Sequence, residues 1–318
     1  MSEKPVVTCV GVIASDVVMI VDSFPDPDGR MEAAEIMFSG GGPAANAAVT
    51  LSRQGVPTAV VGRVGTDTSG EQTIALLQAE GVDTSGVIID PDVATQTSCI
   101  IVNRSADTRS MIVTHSNVLT DLGAIGAQFV RESQWVHTDH LGYAAVTNFV
   151  GALPAGPRPL VSLDSGNAPI ANLDLSKIDL YVPTAESVLA LLGGANLEEA
   201  AARALAAGTH AIVATDGSRG CFAWWDENGA KFAAGSSDTS GSGHLQVPAY
   251  RDGVEVVSTL GAGDVFHGAL LSALVHGANW PDALKRANIT AGMSCQGRDG
   301  REGVPTWPAV DQIMASQA

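Results

Sequence analysis

Six short, almost uninterrupted apolar runs, separated by stretches of helical character, limit the fold more than any other feature of this chain. The first covers about Val6 to Ile13, and the others lie in "TAVVGRVG", "WVHTDH", "RPLVSLD", "IDLYVP" and "THAIVAT". A strand that is apolar on both sides of its pleat must be covered on both faces, which crossover helices do in parallel sheets. The alternation therefore predicts an α/β fold around a mainly parallel sheet. Between the first two runs, "GGGPAANAAVTLSRQG" at 40–55 reads as a glycine turn, Pro43 at the first helical position, an alanine-rich helix and a terminal Gly55.

Two stretches break the alternation: residues 17–39, and 97–115, which reads as a hairpin turning at "RSADT". Together they predict a small separate β-layer. Such a layer alone in water is marginal, so a second copy of the chain is its expected partner. "AAGSSDTSGSGH" at 233–244 reads as a surface loop, and "LPAGPRP" at 153–159 is too short to link domains. No internal repeat of about 20 to 50 residues interrupts the chain. One domain over residues 1–318 is expected.

Seventeen Lys and Arg against 34 Asp and Glu give a net charge of −17, which disfavours nucleic-acid partners held by cationic contacts. A small anion is not disfavoured, because clustered backbone N–H groups bind phosphate inside acidic proteins. Cys9, Cys99, Cys221 and Cys295 are dispersed with no C-x-x-C pair, which points to reduced thiols rather than a zinc site. The start, "VVTCVGVIASDVVMIV", lacks a basic leader and is broken by Asp16, and no later run reaches about 18 apolar residues. A soluble cytoplasmic protein is expected, with no membrane partner.

Chemistry concentrates in "STLGAGDVFHGALLSAL" at 258–274. Its glycines let the N–H groups of Gly261, Ala262 and Gly263 turn toward one point at a helix start, an anion site. Asp264 beside it is placed to take the proton of an attacking hydroxyl, or else simply to cap the helix. His267 reads as a core histidine, and Gly268 as a point of close backbone packing.

The whole chain resembles the ribokinase-like (PfkB) carbohydrate kinases, through four blocks in order: "GVIASD" at 11–16, "GGGPAANAAVTLSRQG", "TDGSRG" at 215–220 and "STLGAGDVFHGALLSAL". The resemblance implies a three-layer sandwich with a β-sheet lid, and ATP- and Mg2+-dependent phosphorylation of a primary hydroxyl on a small carbohydrate. By it, Asp264 is the general base and Gly261, Ala262 and Gly263 form the anion hole. Asp16, Gly41, Gly42 and Asn46 hold the sugar; Thr215, Gly217, Ser218 and Gly220 hold ATP, while Arg219 is either a phosphate contact or a solvated turn residue. The lid is the surface through which the homodimer anticipated above is expected to form. A nucleoside kinase of the same fold and a nonenzymatic sugar or nucleotide sensor are the alternative readings.

The departures also carry expectations. Ser258 stands where many relatives place an acid near a monovalent cation, so weak or absent potassium dependence is expected. "YVPTAES" puts Thr184 and Ser187 where the family carries N-x-x-E, with Glu186 one residue away, so the magnesium ligands stay unassigned. Ala14 and Pro43 replace hydrogen-bonding side chains of some sugar kinases. "GGGPAA", "AGDVFHGAL" and "GREGVP" are most similar to the ketose-kinase branch that includes sulfofructose kinases, which favours a ketose or an acid-substituted sugar. That branch's arginine near the fourth strand is replaced by "DHLGY", leaving His140 there, and Arg30, Arg104 and Arg109 as candidate anion ligands.

Overall fold

All four residues of the first strand are buried, as expected where helices cover both faces of a sheet. The structure, a computed structural model, describes residues 4–106, 108–114, 118–166, 170–233 and 241–317. In its first part β1 (Val7–Val10), β2 (Ala14–Val21) and β3 (Glu35–Gly41) precede α1 (Pro43–Arg53), β4 (Thr58–Val61), β5 (Arg63–Val64), α2 (Thr68–Ala79) and β6 (Ile88–Ile89). Then come β7 (Gln96–Asn103), β8 (Thr108–Val113), α3 (Gly123–Glu132), β9 (Trp135–Asp139), α4 (Tyr143–Gly151), β10 (Leu160–Gly166), β11 (Leu180–Pro183), α5 (Ala185–Leu192) and α6 (Leu197–Ala206). The chain continues through β12 (Ala211–Thr215), β13 (Cys221–Trp225), α7 (Glu227–Ala230), β14 (Gly243–Val247), α8 (Ala262–Val275), α9 (Trp280–Ser294) and α10 (Trp307–Ser316).

The large sheet has the order β14-β13-β12-β11-β10-β9-β1-β4. Strands β4 through β12 pair in parallel, and β13 and β14 add an antiparallel edge. Core residues cover both faces. On one, alanines of α1 pack with Leu270 and Leu274 of α8 and Leu284 of α9; on the other, Val130, Val146, Val188 and Ala201 come from α3 to α6. The α/β sandwich anticipated from the alternation is thus the observed architecture.

The run 6–13 divides where one strand was expected. Pairing within the large sheet ends at Val10, and the chain turns through Gly11, at φ +151°, to enter the small sheet at Ala14. A Cβ on Gly11 would lie 2.1 Å from a carboxylate oxygen of the buried Asp139, so no side chain fits there. The small sheet has the order β3-β2-β7-β8. It therefore starts three residues before the expected 17 and ends at Gly41 rather than 39, with no strand over 22–34. Its second segment is a hairpin whose turn covers 104–106, within the anticipated stretch; Asp107 and His115 lie outside the described residues. Within 233–244, residues 234–240 are outside the described residues, and Gly243 and His244 already belong to β14.

The two faces of the small sheet differ. Val18 and Ile100 are buried against Leu260, in the segment just before α8. Register carries the row Phe38, Val17, Cys99, Ile112 across the sheet on the opposite face, where Phe38 is 73% and Ile112 67% exposed. Among the described residues no helix is long and apolar enough to cross a membrane. The four cysteines are free, and burial pushes the Cys9 and Cys221 thiols up.

Gly268, on α8, meets α1: a Cβ there would lie 2.7 Å from the Ala47 carbonyl oxygen and 2.9 Å from Thr50 Cβ. Alanine favours a helix over glycine by about 1 kcal/mol, but overpacking backbone against backbone costs about 1 to 3 kcal/mol. Gly268→Ala should therefore lower stability in urea unfolding; an unchanged or raised midpoint would show that the two helices part freely.

Candidate active site

Gly261 caps the start of α8, and its φ of +71° suits a residue without a side chain. The N–H groups of Gly261, Gly263 and Asp264 find no acceptor among the described residues, and Ala262 N–H makes only a long 3.4 Å bond to the Thr259 carbonyl. Unpaired N–H groups at a helix start carry its positive pole. Ala262 and Gly263 line a cavity of about 830 Å³, with Thr215, Gly217, Ser218 and Gly220 from the β12–β13 turn. The two blocks that were expected to meet an anion and a nucleotide thus share one cleft, 40 and more residues apart in the chain.

Asp264 sits in the first turn of α8, half-buried, and accepts a 2.8 Å hydrogen bond from Asn46 Nδ2 on α1. The carboxyl is pushed up from 3.8 to about 7. Burial is the main cause and the Asp164 charge the next; the Asn46 bond pulls the other way, and Asp139 and Asp16 add negative charge. Asp164, on β10, is itself held below the usual carboxylate range. Burial alone would raise it, but the contact with His267 and the Gly166 N–H bond, at 2.8 Å, outweigh that.

The expected sugar side gathers around Asn46. Asp16 on β2 is buried and raised by that burial, against the Ser98 hydrogen bond and the Arg301 charge. Gly41, two positions beyond the register partner of Asp16 on β3, leaves room for it, since a Cβ there would lie 2.1 Å from the Asp16 carboxylate. Gly42, at φ +98°, precedes α1 and would place a Cβ 2.3 Å from the Val12 carbonyl oxygen. Both glycines are required by the protein's own packing.

Three groups here, two of them buried, had no role assigned from sequence. Arg301, 5% exposed, donates from Nε to Asn46 Oδ1 at 2.8 Å and from Nη2 to the Gly41 carbonyl at 3.3 Å. Asp299 accepts from Ser39 Oγ at 2.6 Å. Asp139, fully buried, accepts from the N–H groups of Val12, Leu141 and Gly142, and burial raises it. An arginine and an aspartate in the glycine-rich "QGRDGREGVP" were the available signal for the first two.

Other expected residues are placed elsewhere or differently. Thr184 caps α5, accepting from Ser187 N at 3.1 Å, so the positions of N-x-x-E form a helix cap; Glu186 lines the cleft. Ser258 Oγ accepts from Leu260 N. Arg219 pairs with Asp216 on the surface and Arg104 with Asp22, whereas Arg109 lines the cleft and reaches Thr259 Oγ1 at 2.7 Å. Arg30 is exposed. His267 is buried and shares a hydrogen bond with Ser162 Oγ through Nε2; among the described residues its Nδ1 has no hydrogen-bond partner, and it lies 3.8 Å from Asp164.

The pfkB family carbohydrate kinase profile matches residues 4–307. Mouse (Mus musculus) ketohexokinase is 26% identical over 311 residues, covering 94% of this chain and 99% of the relative. Among solved structures, ribokinase from Thermotoga maritima superposes with a TM-score of 0.79 at 21% identity, covering 98% of this chain and 99% of that one. Arabidopsis thaliana ribokinase, solved with ribose and ATP, gives 0.78 at 22% identity with the same coverage.

A carboxyl held at about 7 binds its proton more tightly folded than unfolded, where it returns toward 3.8. Stability is therefore lost as pH rises through that window. Asp264→Asn, which cannot ionise, should raise the thermal midpoint relative to the parent at pH 8 and much less at pH 5. An equal effect at both pH values would show that Asp264 titrates normally.

Proposed function

This chain belongs to the pfkB family of carbohydrate kinases, and we propose that it transfers the γ-phosphoryl group of ATP to a primary hydroxyl of a small uncharged sugar, with a ketose favoured. What carries the reading is the meeting of Asp264 with the unpaired N–H groups that open α8. The acceptor hydroxyl gives its proton to Asp264 as its oxygen bonds to the γ-phosphorus, and the bond to the bridging oxygen breaks to release ADP. The N–H groups of Gly261, Ala262 and Gly263 stabilise charge on the transferring phosphoryl, aided by the positive end of α8.

Asp16, Gly41, Gly42 and Asn46 take the sugar, and Thr215, Gly217, Ser218 and Gly220 take ATP. Arg109, the cation that β8 brings to the cleft, is the anion ligand favoured by its position. A magnesium ion supplies charge neutralisation on the phosphates when bound. Such an ion keeps most of its waters and needs only one or two carboxylates, so the absence of a three-ligand cluster among the described residues does not oppose it. Glu186 at the cleft would hold it. With a serine at 258, potassium dependence is weak or absent.

Uncharged sugars are favoured by the local charge. Asp16, Asp164, Asp264 and Asp299 bring four carboxyls to this side of the site, whereas the donors of Arg301 already engage Asn46 and Gly41 and Arg53 is paired with Glu80. An acid-substituted sugar would meet net negative charge. Mouse ketohexokinase as a relative inclines the reading to ketoses. The small sheet acts as a lid within one domain, and a second copy of the chain covers its exposed apolar row through Phe38 and Ile112.

Asp264→Asn should keep ATP binding and lower turnover by at least about 100-fold, the usual scale for a lost general base. Near-normal turnover removes Asp264 from that role. A panel of ketoses, aldoses, sugar acids and nucleosides, read by substrate-dependent ADP release, should give its highest kcat/KM with an uncharged sugar. Preference for a sugar acid or a nucleoside would overturn the substrate class.

A further inference from the structure

Arg301 is one of the least expected residues in the interior. A guanidinium that is 5% exposed must be paired to be tolerated. The charges of Asp16 and Asp299 lie near enough to compensate it, and burial lowers it only to about 10, which leaves it cationic at neutral pH. Room is made for it: a Cβ on Gly40 would lie 2.0 Å from Nη1.

Its contact with Asn46 has a directional consequence. A primary amide has one accepting end and one donating end of nearly the same shape, so sterics alone do not choose between its two orientations. Arginine has donors only. The end of Asn46 that faces Arg301 Nε must therefore be Oδ1, and the end that faces Asp264 must be Nδ2, as both 2.8 Å bonds require. With the amide reversed, a carbonyl oxygen would face a carboxylate. Asp264 Oδ2 takes this bond, and Oδ1 has no hydrogen bond among the described residues, which leaves it for an acceptor hydroxyl.

From this chain of contacts we infer that Arg301 is a positioning residue: it fixes the orientation of the Asn46 amide and so decides that Asp264 receives a donor. The inference deepens the reading of Asp264 as the base and rests on it. Arg301 touches neither reacting atom. Its action passes through Asn46, from a segment more than 250 residues away in the chain.

The other groups bearing on Asp264 come from β2 (Asp16), β9 (Asp139) and β10 (Asp164), with His267 one turn along α8 in contact with Asp164. None of them hydrogen-bonds the Asn46 amide among the described residues, but the Arg301 charge also acts on Asp16, so the test separates lost charge from lost orientation by repeating the substitution without the amide.

The test compares Arg301→Lys, which keeps donors alone, with Arg301→Gln, which offers an acceptor as well. The probe is the Asp264 carboxyl itself, followed by 13C NMR titration of the full-length protein and assigned by its loss in Asp264→Asn. No substrate is needed. Glutamine should raise the Asp264 titration by at least about half a pH unit, because the donated hydrogen bond that favours the charged form is no longer enforced. Lysine should leave it within about 0.2 unit of the parent. In kinetics with an accepted sugar, the acid limb of kcat should move with the titration while KM for ATP stays constant. In an Asn46→Ala background, which leaves no amide to orient, Arg301→Gln should shift Asp264 by less than half as much; equal shifts in glutamine and lysine variants, no shift with glutamine, or an undiminished shift in the Asn46→Ala background overturn the proposal. If the glutamine variant does not fold, Arg301→Met carries the same comparison with lysine. A shifted titration combined with full activity of Asp264→Asn would instead retain the positioning and remove the base.

Discussion

One buried carboxylate holds together the part of the molecule on which the site is built. Asp139, at the end of β9, accepts from Val12 N at 2.6 Å with one oxygen and from Leu141 N and Gly142 N with the other. A longer bond of 3.4 Å reaches Ala44 N, in the first turn of α1. Three segments distant in sequence thus end on one side chain: the crossing from the large sheet to the small one, the start of α1 and the turn into α4. An unpaired buried acid would cost several kcal/mol, so these N–H groups and the carboxylate require one another. Asp16 lies just beyond the first segment and Asn46 just beyond the second, and their separation is set by that junction.

The site concentrates negative charge instead of dispersing it. Asp16, Asp139, Asp164 and Asp264 come from four different elements, and each feels burial before it feels a neighbour. Their environments nevertheless separate them. Asp164 has a histidine and a backbone N–H to keep it ionised, whereas Asp264 has one amide donor and an unfavourable charge beside it. Carboxyls of similar intrinsic strength are thereby driven apart in proton affinity, the condition under which one of them becomes a base near neutral pH.

Much of this was legible in the sequence for simple reasons. The strands are continuous apolar runs, α1 starts at Pro43, and Gly55 lies just beyond its last turn, all features of local physics. The segments that broke the alternation did form the small sheet, because β2 and β7 pair in parallel across a gap that the pattern cannot see but does not contradict. Asp264 and Asn46 were singled out separately, and the structure joins them over 218 positions. What stayed hidden depends on tertiary packing. Arg301 went without a role because nothing local in its glycine-rich stretch says that the segment after α9 folds down on α1. The end of β1 was misplaced because Val12 and Ile13 continue its hydrophobic run while their backbone turns toward Asp139.

The underside of the small sheet adds a mechanical consequence. Val18 and Ile100 rest on Leu260, and Arg109 holds Thr259, so two contacts from that sheet load the two residues immediately before Gly261. The sheet cannot tilt without pressing on the segment that aims the first N–H groups of α8. Were a ligand to favour one position of the sheet, linkage would make its effect on an anion at the helix start equal to the effect of that anion on the ligand. Leu260 and Thr259 are thus the residues through which the small sheet bears on the start of α8.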